Sequence, residues 1–188
     1  MSYEKIPHFH RQIILDELNK IQFDTLLEVG CGEGTNMFYI RRDFPDAKIT
    51  GLDNDISRIV MCEEQFGRDY CQVGNAVALP YKDKSFDIIL FDAVLMYLSP
   101  EDIEKALAEA YRVAKKAVVV CDQNDIVKEP DIKIPIQGWD AKWDTGFIIV
   151  KKLVEEKKEE PKTEPKKRGR PKIEKPVIKK RGRPRKIK

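Results

Sequence analysis

The stretch "LLEVGCGEGTN" sets Gly30, Gly32 and Gly34 at alternate positions, two residues beyond the acid Glu28. A residue without Cβ lets the backbone approach a ligand closely. Where such a loop opens a helix, the unpaired N–H groups of the first turn face whatever is bound. The spacing argues against a dinucleotide fingerprint, because G-x-G-x-x-G needs a glycine where Thr35 stands. The loop is therefore a candidate for holding a ligand. The four cysteines, Cys31, Cys62, Cys71 and Cys121, have no metal-ligand spacing, and the only histidines are His8 and His10, so no zinc site is expected. Cys31 and Cys121 read as small core residues.

The glycine loop needs a scaffold that sets it directly after a strand and before a helix. The runs "TLLEV", "AKITGLD", "YCQV", "FDIILF" and "AVVVC" lack polar alternation, which suits strands of a sheet covered on both faces. Between them "GTNMFYIRRDF", "ISRIVMCEEQF" and "SPEDIEKALAEAYRVA" read as helices. The last has a full start signal: Ser99 as cap, Pro100 in the first helical position, and Glu101 and Asp102 on the helix dipole. An N-terminal helix is expected around Ile13, Ile14, Leu18 and Ile21. Strand and helix in alternation predict an α/β fold with a doubly wound, Rossmann-like parallel sheet. Past Cys121 the reading is an irregular stretch containing Trp139 and Trp143, then a final strand in "GFIIVKKLV", with the folded part ending near Val154.

Charge divides the 188 residues in two. Residues 151–188 hold 18 Lys and Arg against 6 Glu, a net of +12, and subtraction from the totals of 35 and 32 leaves 17 against 26, a net of −9, for residues 1–150. An acidic body followed by a basic, aromatic-free arm reads as a folded domain (1–154), a charged linker (155–165, "EEKKEEPKTEP") and a disordered basic tail (166–188). No apolar run approaches membrane-spanning length and the first residues lack a secretory stretch, so the expectation is an intracellular protein with reduced thiols and no membrane partner. Cytoplasm or nucleoid would be its place, or the nucleus in a eukaryotic host.

The glycine loop with its upstream glutamate resembles motif I of the class I S-adenosylmethionine-dependent methyltransferases, of the type 11-like kind. The resemblance covers about residues 8–152. "ITGLDNDIS" and "GNAVALPYKDKSFDIILFDAVLMYL" extend it in order and at the right separations. It implies S-adenosylmethionine as cofactor. Glu28 would hold the first loop or a cofactor water, and the Gly30–Gly34 backbone, with Cys31, Gly32 and Gly34, would line the methionine part. Asp53, beside Asn54, would take the ribose hydroxyls, and Asn75 and Ala76 would meet the adenine. Asn75 departs from the family's usual aspartate and so would accept without charge assistance. The alternatives are a structural role for Glu28, a helix cap for Asp53 and a plain turn for Asn75. In the segment after the fourth strand, Asp92, Met96 and Tyr97 are the candidates to face the acceptor, with a core aromatic as the alternative for Tyr97. The chain lacks both the Pro-Pro-aromatic motif of enzymes that methylate base amino groups and the Pro-Cys nucleophile of C5-cytosine enzymes, which argues against direct methylation of DNA.

The tail carries one word twice. "KKRGRPK" at Lys166–Lys172 and "KKRGRPRK" at Lys179–Lys186 resemble the AT-hook, which binds the minor groove of A·T-rich duplex DNA. The narrow A·T minor groove is strongly negative and attracts inserted Arg side chains. Arg168, Arg170, Arg181 and Arg183 would enter it. Gly169 and Gly182 would let the backbone reach the floor, and Pro171 and Pro184 would hold the chain extended. The two glycines are 13 residues apart, at most about 43–47 Å when extended. That reaches across one turn of B-DNA, about 34 Å. The sequence thus predicts a methyltransferase tethered to A·T-rich DNA, acting on a DNA-associated protein or a small molecule. Its rival is an architectural DNA-binding protein with a catalytically weak or inactive cofactor-binding domain.

Overall fold

A computed structural model describes residues 9–123, 140–144 and 147–153 of the chain. The linker at 155–165, the paired basic motifs at 166–188, His8 and Trp139 lie outside the described residues.

The body is a seven-stranded sheet in the order β3-β2-β1-β4-β5-β7-β6. Strands β1 (Thr25–Val29), β2 (Lys48–Asp53), β3 (Cys71–Val73), β4 (Phe86–Asp92) and β5 (Ala114–Gln123) are parallel. The expected α/β class is present, with two differences. β7 (Phe147–Leu153) runs antiparallel to β5, and "DAKWD", read as irregular, forms β6 (Asp140–Asp144), antiparallel to β7. Its charged residues alternate with Ala141 and Trp143, the period of a strand, and its backbone pairs along its whole length with β7. β3 is likewise not a buried strand. It lies at the sheet edge, where only Cys71 is covered.

Strand side chains alternate between two apolar layers, as the period of two demands. Leu27, Val29, Ile89, Phe91, Val118 and Val120 pack on one face, with Ile103, Ala106, Leu107 and Ala110 of α4 (Pro100–Val113). Leu26, Ile88, Leu90, Val119 and Cys121 point to the other. There they meet Ile14, Leu15 and Leu18 of α1 (Phe9–Leu18), Met37 and Ile40 of α2 (Thr35–Asp43), and Ile59 and Cys62 of α3 (Ile56–Phe66). A fully buried side chain of this size contributes roughly 1.5–3 kcal/mol. Truncating one such as Leu18 to Ala costs about 2–5 kcal/mol with its cavity.

The same parity fixes the polar residues. Glu28 follows the side of Leu26, and Asp92 that of Leu90, so both carboxylates emerge on the layer that carries α1 and α2. The register pairs Glu28 with Gly51 on one side and Leu90 on the other. Ser99 accepts from the Asp102 N–H and caps α4 as the sequence predicts. At the far end of α4, Arg112 donates to the carbonyls of Leu79 and Tyr81, and Glu109 accepts from the Leu79 N–H, which pins the loop after Asn75.

Asp87, the acid of "KSFD", sits at the opposite end of the sheet from the polar rim. Its Oδ2 accepts from the N–H groups of Asp24 and Thr25 at 2.8 and 3.1 Å. Burial raises its pKa, but these donors, with Lys115 and Lys116, outweigh that and hold it below the usual carboxylate range. Cys31 and Cys121 are buried and free, as expected. The expectation of reduced thiols fails for the other pair: Cys62 and Cys71 form a disulfide between α3 and β3. Spacing along the chain could not show this, since a helix and a strand must pack before the two sulfurs meet. No described helix is long and apolar enough to cross a membrane.

Candidate functional site

The carboxyl ends of β1, β2, β3 and β4 open on one cavity of about 840 Å³. It lies where the strand order reverses between β1 and β4, the place where open α/β sheets take ligands. Glu28, Gly30, Cys31, Gly32, Asp53, Asn54, Asn75, Ala76, Asp92 and Tyr97 all line it, as does Met96. Gly34 does not appear on the wall. It begins α2 behind the loop at φ +89, and a Cβ there would meet the Phe66 ring at 2.4 Å. Gly30, at φ +75, is a contact between loops, since a Cβ would strike Val94 Cγ2 at 2.3 Å. α2 has no side-chain cap, and Thr35 and Asn36 of its first turn face the cavity.

Asp53 is not a helix cap. Asp55 fills that role for α3 by accepting from the Ser57 N–H. Asp53 Oδ2 accepts from the Gly32 N–H at 2.8 Å, and Oδ1 from the Asp55 N–H at 2.9 Å. The carboxylate is thereby fixed against the glycine loop with further lone pairs to offer. Asn75 Oδ1 accepts from the Val77 N–H at 3.1 Å, so its acceptor serves a turn while the residue lines the cavity.

At the other end of the cavity lies a cluster that the sequence reading missed. The Asn36 amide donates to Glu28 Oε1 at 2.7 Å and to Asp92 Oδ2 at 2.8 Å, and Arg11 Nε donates to Asn36 Oδ1 at 2.9 Å. His10 Nε2 stands 3.6 Å from Asp92 Oδ2. Glu28 Oε2 and Asp92 Oδ1 are buried and accept no hydrogen bond among the described residues. Burial pushes Glu28 up to about 8, with the Asp92 charge adding and the Asn36 bond opposing. Burial also acts on Asp92, but His10 and Asn36 outweigh it and hold that carboxyl below its ordinary value. Two neighbouring acids are thus driven apart, one protonated and one ionised near neutrality, a pattern found at functional sites. The one signal in the sequence was an asparagine, a weak helix former, in the first turn after the glycine loop.

The segment after β4 is held from below. Asp122, buried at the end of β5, accepts from the N–H groups of Val94, Leu95 and Met96 through Oδ2 at 3.1, 2.8 and 3.4 Å. This fixes the 3₁₀ turn Leu95–Tyr97. Ala93, which follows Asp92, adopts φ +54, a conformation costly for a residue with Cβ and persistent only where the surroundings enforce it. Tyr97 is not a core aromatic: it is 79% exposed at the cavity mouth.

A glycine loop after β1, an acid after β2 and a polar segment after β4, on a sheet of this order, define the class of methyltransferase folds. Residues 27–121 match the family model described as a methyltransferase domain, from β1 through β5. The chain belongs to that family, whose class takes its methyl group from S-adenosylmethionine. The phthiotriol/phenolphthiotriol dimycocerosates methyltransferase 1 of Mycobacterium ulcerans is 38% identical over 90 residues, 46% of this chain and 32% of that protein. The match thus spans about a third of that relative's length. Among solved structures, the PH0226 protein of Pyrococcus horikoshii aligns with a TM-score of 0.62 at 14% identity, over 74% of this chain and 85% of that one. A SAM-dependent methyltransferase of Aquifex aeolicus aligns with a TM-score of 0.58 at 19% identity, over 77% and 89%.

Proposed function

We propose that the chain is an S-adenosylmethionine-dependent methyltransferase carried to A·T-rich DNA by its two basic motifs. The observation that carries the first half is a cavity bounded by a glycine-rich loop, a fixed acid and two buried carboxyl oxygens that accept no hydrogen bond among the described residues. The residues suit that cofactor. Asp53 takes the ribose hydroxyls, and Asn75 and Ala76 bound the adenine. At the amino-acid end, Glu28 suits an ammonium, while Arg11 and the first turn of α2 suit a carboxylate.

When bound, the cofactor supplies an electrophilic methyl group on a sulfonium. The protein's part is positioning and exclusion of water, the main needs of a displacement that requires no strong base. Asp92 is held ionised in the cavity wall, where its carboxylate can orient an acceptor's donor hydrogen. Tyr97 and Met96, set by Asp122 through the turn, face the incoming acceptor. That acceptor is a DNA-associated protein or a small molecule.

Two observations support the tether: the repeated Arg-Gly-Arg-Pro word, and the opposite charges of body and tail. A body of net −9 is repelled by DNA, so recruitment falls to the arm. A second hook raises the local concentration of the first and turns two weak contacts into one useful contact. Calorimetry of the full chain with S-adenosylhomocysteine tests the cofactor, and no binding would end the reading. Labelling of host lysate with a radioactive methyl donor tests catalysis and identifies the acceptor. Cofactor binding with no labelled species would leave a binding domain on a DNA-binding arm.

A further inference from the structure

The Cys62–Cys71 disulfide joins two elements at the edge of the sheet: β3, which among the described residues pairs only with β2, and α3, which also packs Phe66 on the core. α3 fully buries only Ile59 and Cys62, while Ile56, Val60 and Met61 on the same helix are exposed. β3 has three residues at the sheet edge, and Cys71 is its one buried side chain. A cysteine is thus the one buried side chain of β3 and one of two on α3, so the bond links the two elements where they are covered. Both run directly into the cavity wall: Asp55 and Arg58 lie at the start of α3, and Gly74 and Asn75 follow β3. The sulfur of Cys62 also underlies the glycine loop, since a Cβ on Gly34 would approach it to 3.3 Å.

We propose that Cys62–Cys71 is a redox-responsive staple of the nucleoside half of the site. Oxidised, it keeps the start of α3 and the end of β3 at one spacing; reduced, the two elements separate more readily and the site loosens. The inference rests on reading that half as the adenosine end of the cofactor site. The step is thiol–disulfide exchange with a small dithiol. Its thiolate attacks one sulfur, the Cys62–Cys71 bond breaks, and the second thiol displaces the mixed disulfide. Two electrons and two protons pass to the protein, leaving two cysteine thiols and a cyclic disulfide of the reductant. Both sulfurs are buried, so exchange waits on local opening of the sheet edge.

The test uses the full chain, oxidised with glutathione disulfide or reduced with dithiothreitol. Thiol titration after denaturation should give two thiols in the oxidised form and four in the reduced form, because Cys31 and Cys121 are free. Reduction should weaken S-adenosylhomocysteine binding about fivefold or more, the lower end of ordinary coupling between sites. Reoxidation should restore it, and C62S/C71S should bind like the reduced form under both conditions. Hydrogen exchange should quicken in residues 54–76 on reduction, with or without ligand. Four thiols after oxidation would overturn the staple, as would equal affinity in both states. If neither form binds S-adenosylhomocysteine, the cofactor reading fails, and exchange at 54–76 still decides the staple: unchanged rates overturn it.

Discussion

Glu28 should make the protein less stable as pH rises through neutrality, and Glu28→Gln should remove that dependence. In the unfolded chain the carboxyl titrates near its ordinary 4.5; in the fold, burial raises it to about 8. The folded state therefore holds the extra proton between those values. Its stabilising share is fully present at low pH and is lost as pH climbs toward the folded value. Between about pH 5.5 and 7.0 the folded form carries close to one additional proton, worth about 1.4 kcal/mol per pH unit, or roughly 2 kcal/mol across the window. Asp92, held below its usual range, stays ionised throughout and adds no slope there. Glutamine keeps the neutral shape and can still accept from Asn36. Urea denaturation of both proteins at several pH values is the assay, with the difference in unfolding free energy as readout. That difference should drift by about 2 kcal/mol over the window, with wild type losing ground as pH rises. Ammonium binding beside Glu28 would favour its carboxylate, so S-adenosylhomocysteine should release a proton on binding near pH 7, and Glu28→Gln should not. Parallel pH profiles for the two proteins would refute the buried neutral carboxyl.

Other substitutions separate binding, positioning and stability. Asp53→Ala should weaken S-adenosylhomocysteine binding by roughly 1.5–3 kcal/mol, the range for hydrogen bonds to a charged group; unchanged affinity by calorimetry would remove Asp53 from the site. Asp122→Ala leaves three backbone N–H groups of the turn without their acceptor, so it should lower turnover more than cofactor affinity, with Tyr97→Phe as a milder version; equal losses in both quantities would count against a positioning role. Asp87→Asn should cost about 1–3 kcal/mol at neutral pH without altering cofactor affinity. Because the folded pKa of Asp87 is depressed, that gap should close as pH falls toward and below the ordinary carboxylate range, and a gap that persists in acid would show the charge to be irrelevant. In the tail, Arg170→Ala and Arg183→Ala together should abolish most preference for A·T-rich over G·C-rich duplex while Lys179→Ala weakens both alike; equal affinity of the wild-type chain for the two duplexes would reduce the motifs to a generic basic arm.

Local chemistry was legible in the chain itself. The alternation of apolar runs and helical patterns, the glycines before α2, the Ser99–Pro100 start of α4 and the acid ending β2 each act through neighbours a few residues away, so order along the chain is enough to read them. Tertiary structure decided whatever depends on which strands become neighbours. Glu28 and Asp92 are 64 positions apart and share one amide only because β1 and β4 pair in that register and α2 returns across the same face. Arg11 and His10 reach them because Ile14, Leu15 and Leu18 bury one side of α1 in that layer. β6 is a run of five residues whose place at the sheet edge is set by pairing with β7. The hold of Asp122 on the Tyr97 turn and the meeting of Cys62 with Cys71 arise in the same way, from contacts between elements that no local periodicity encodes.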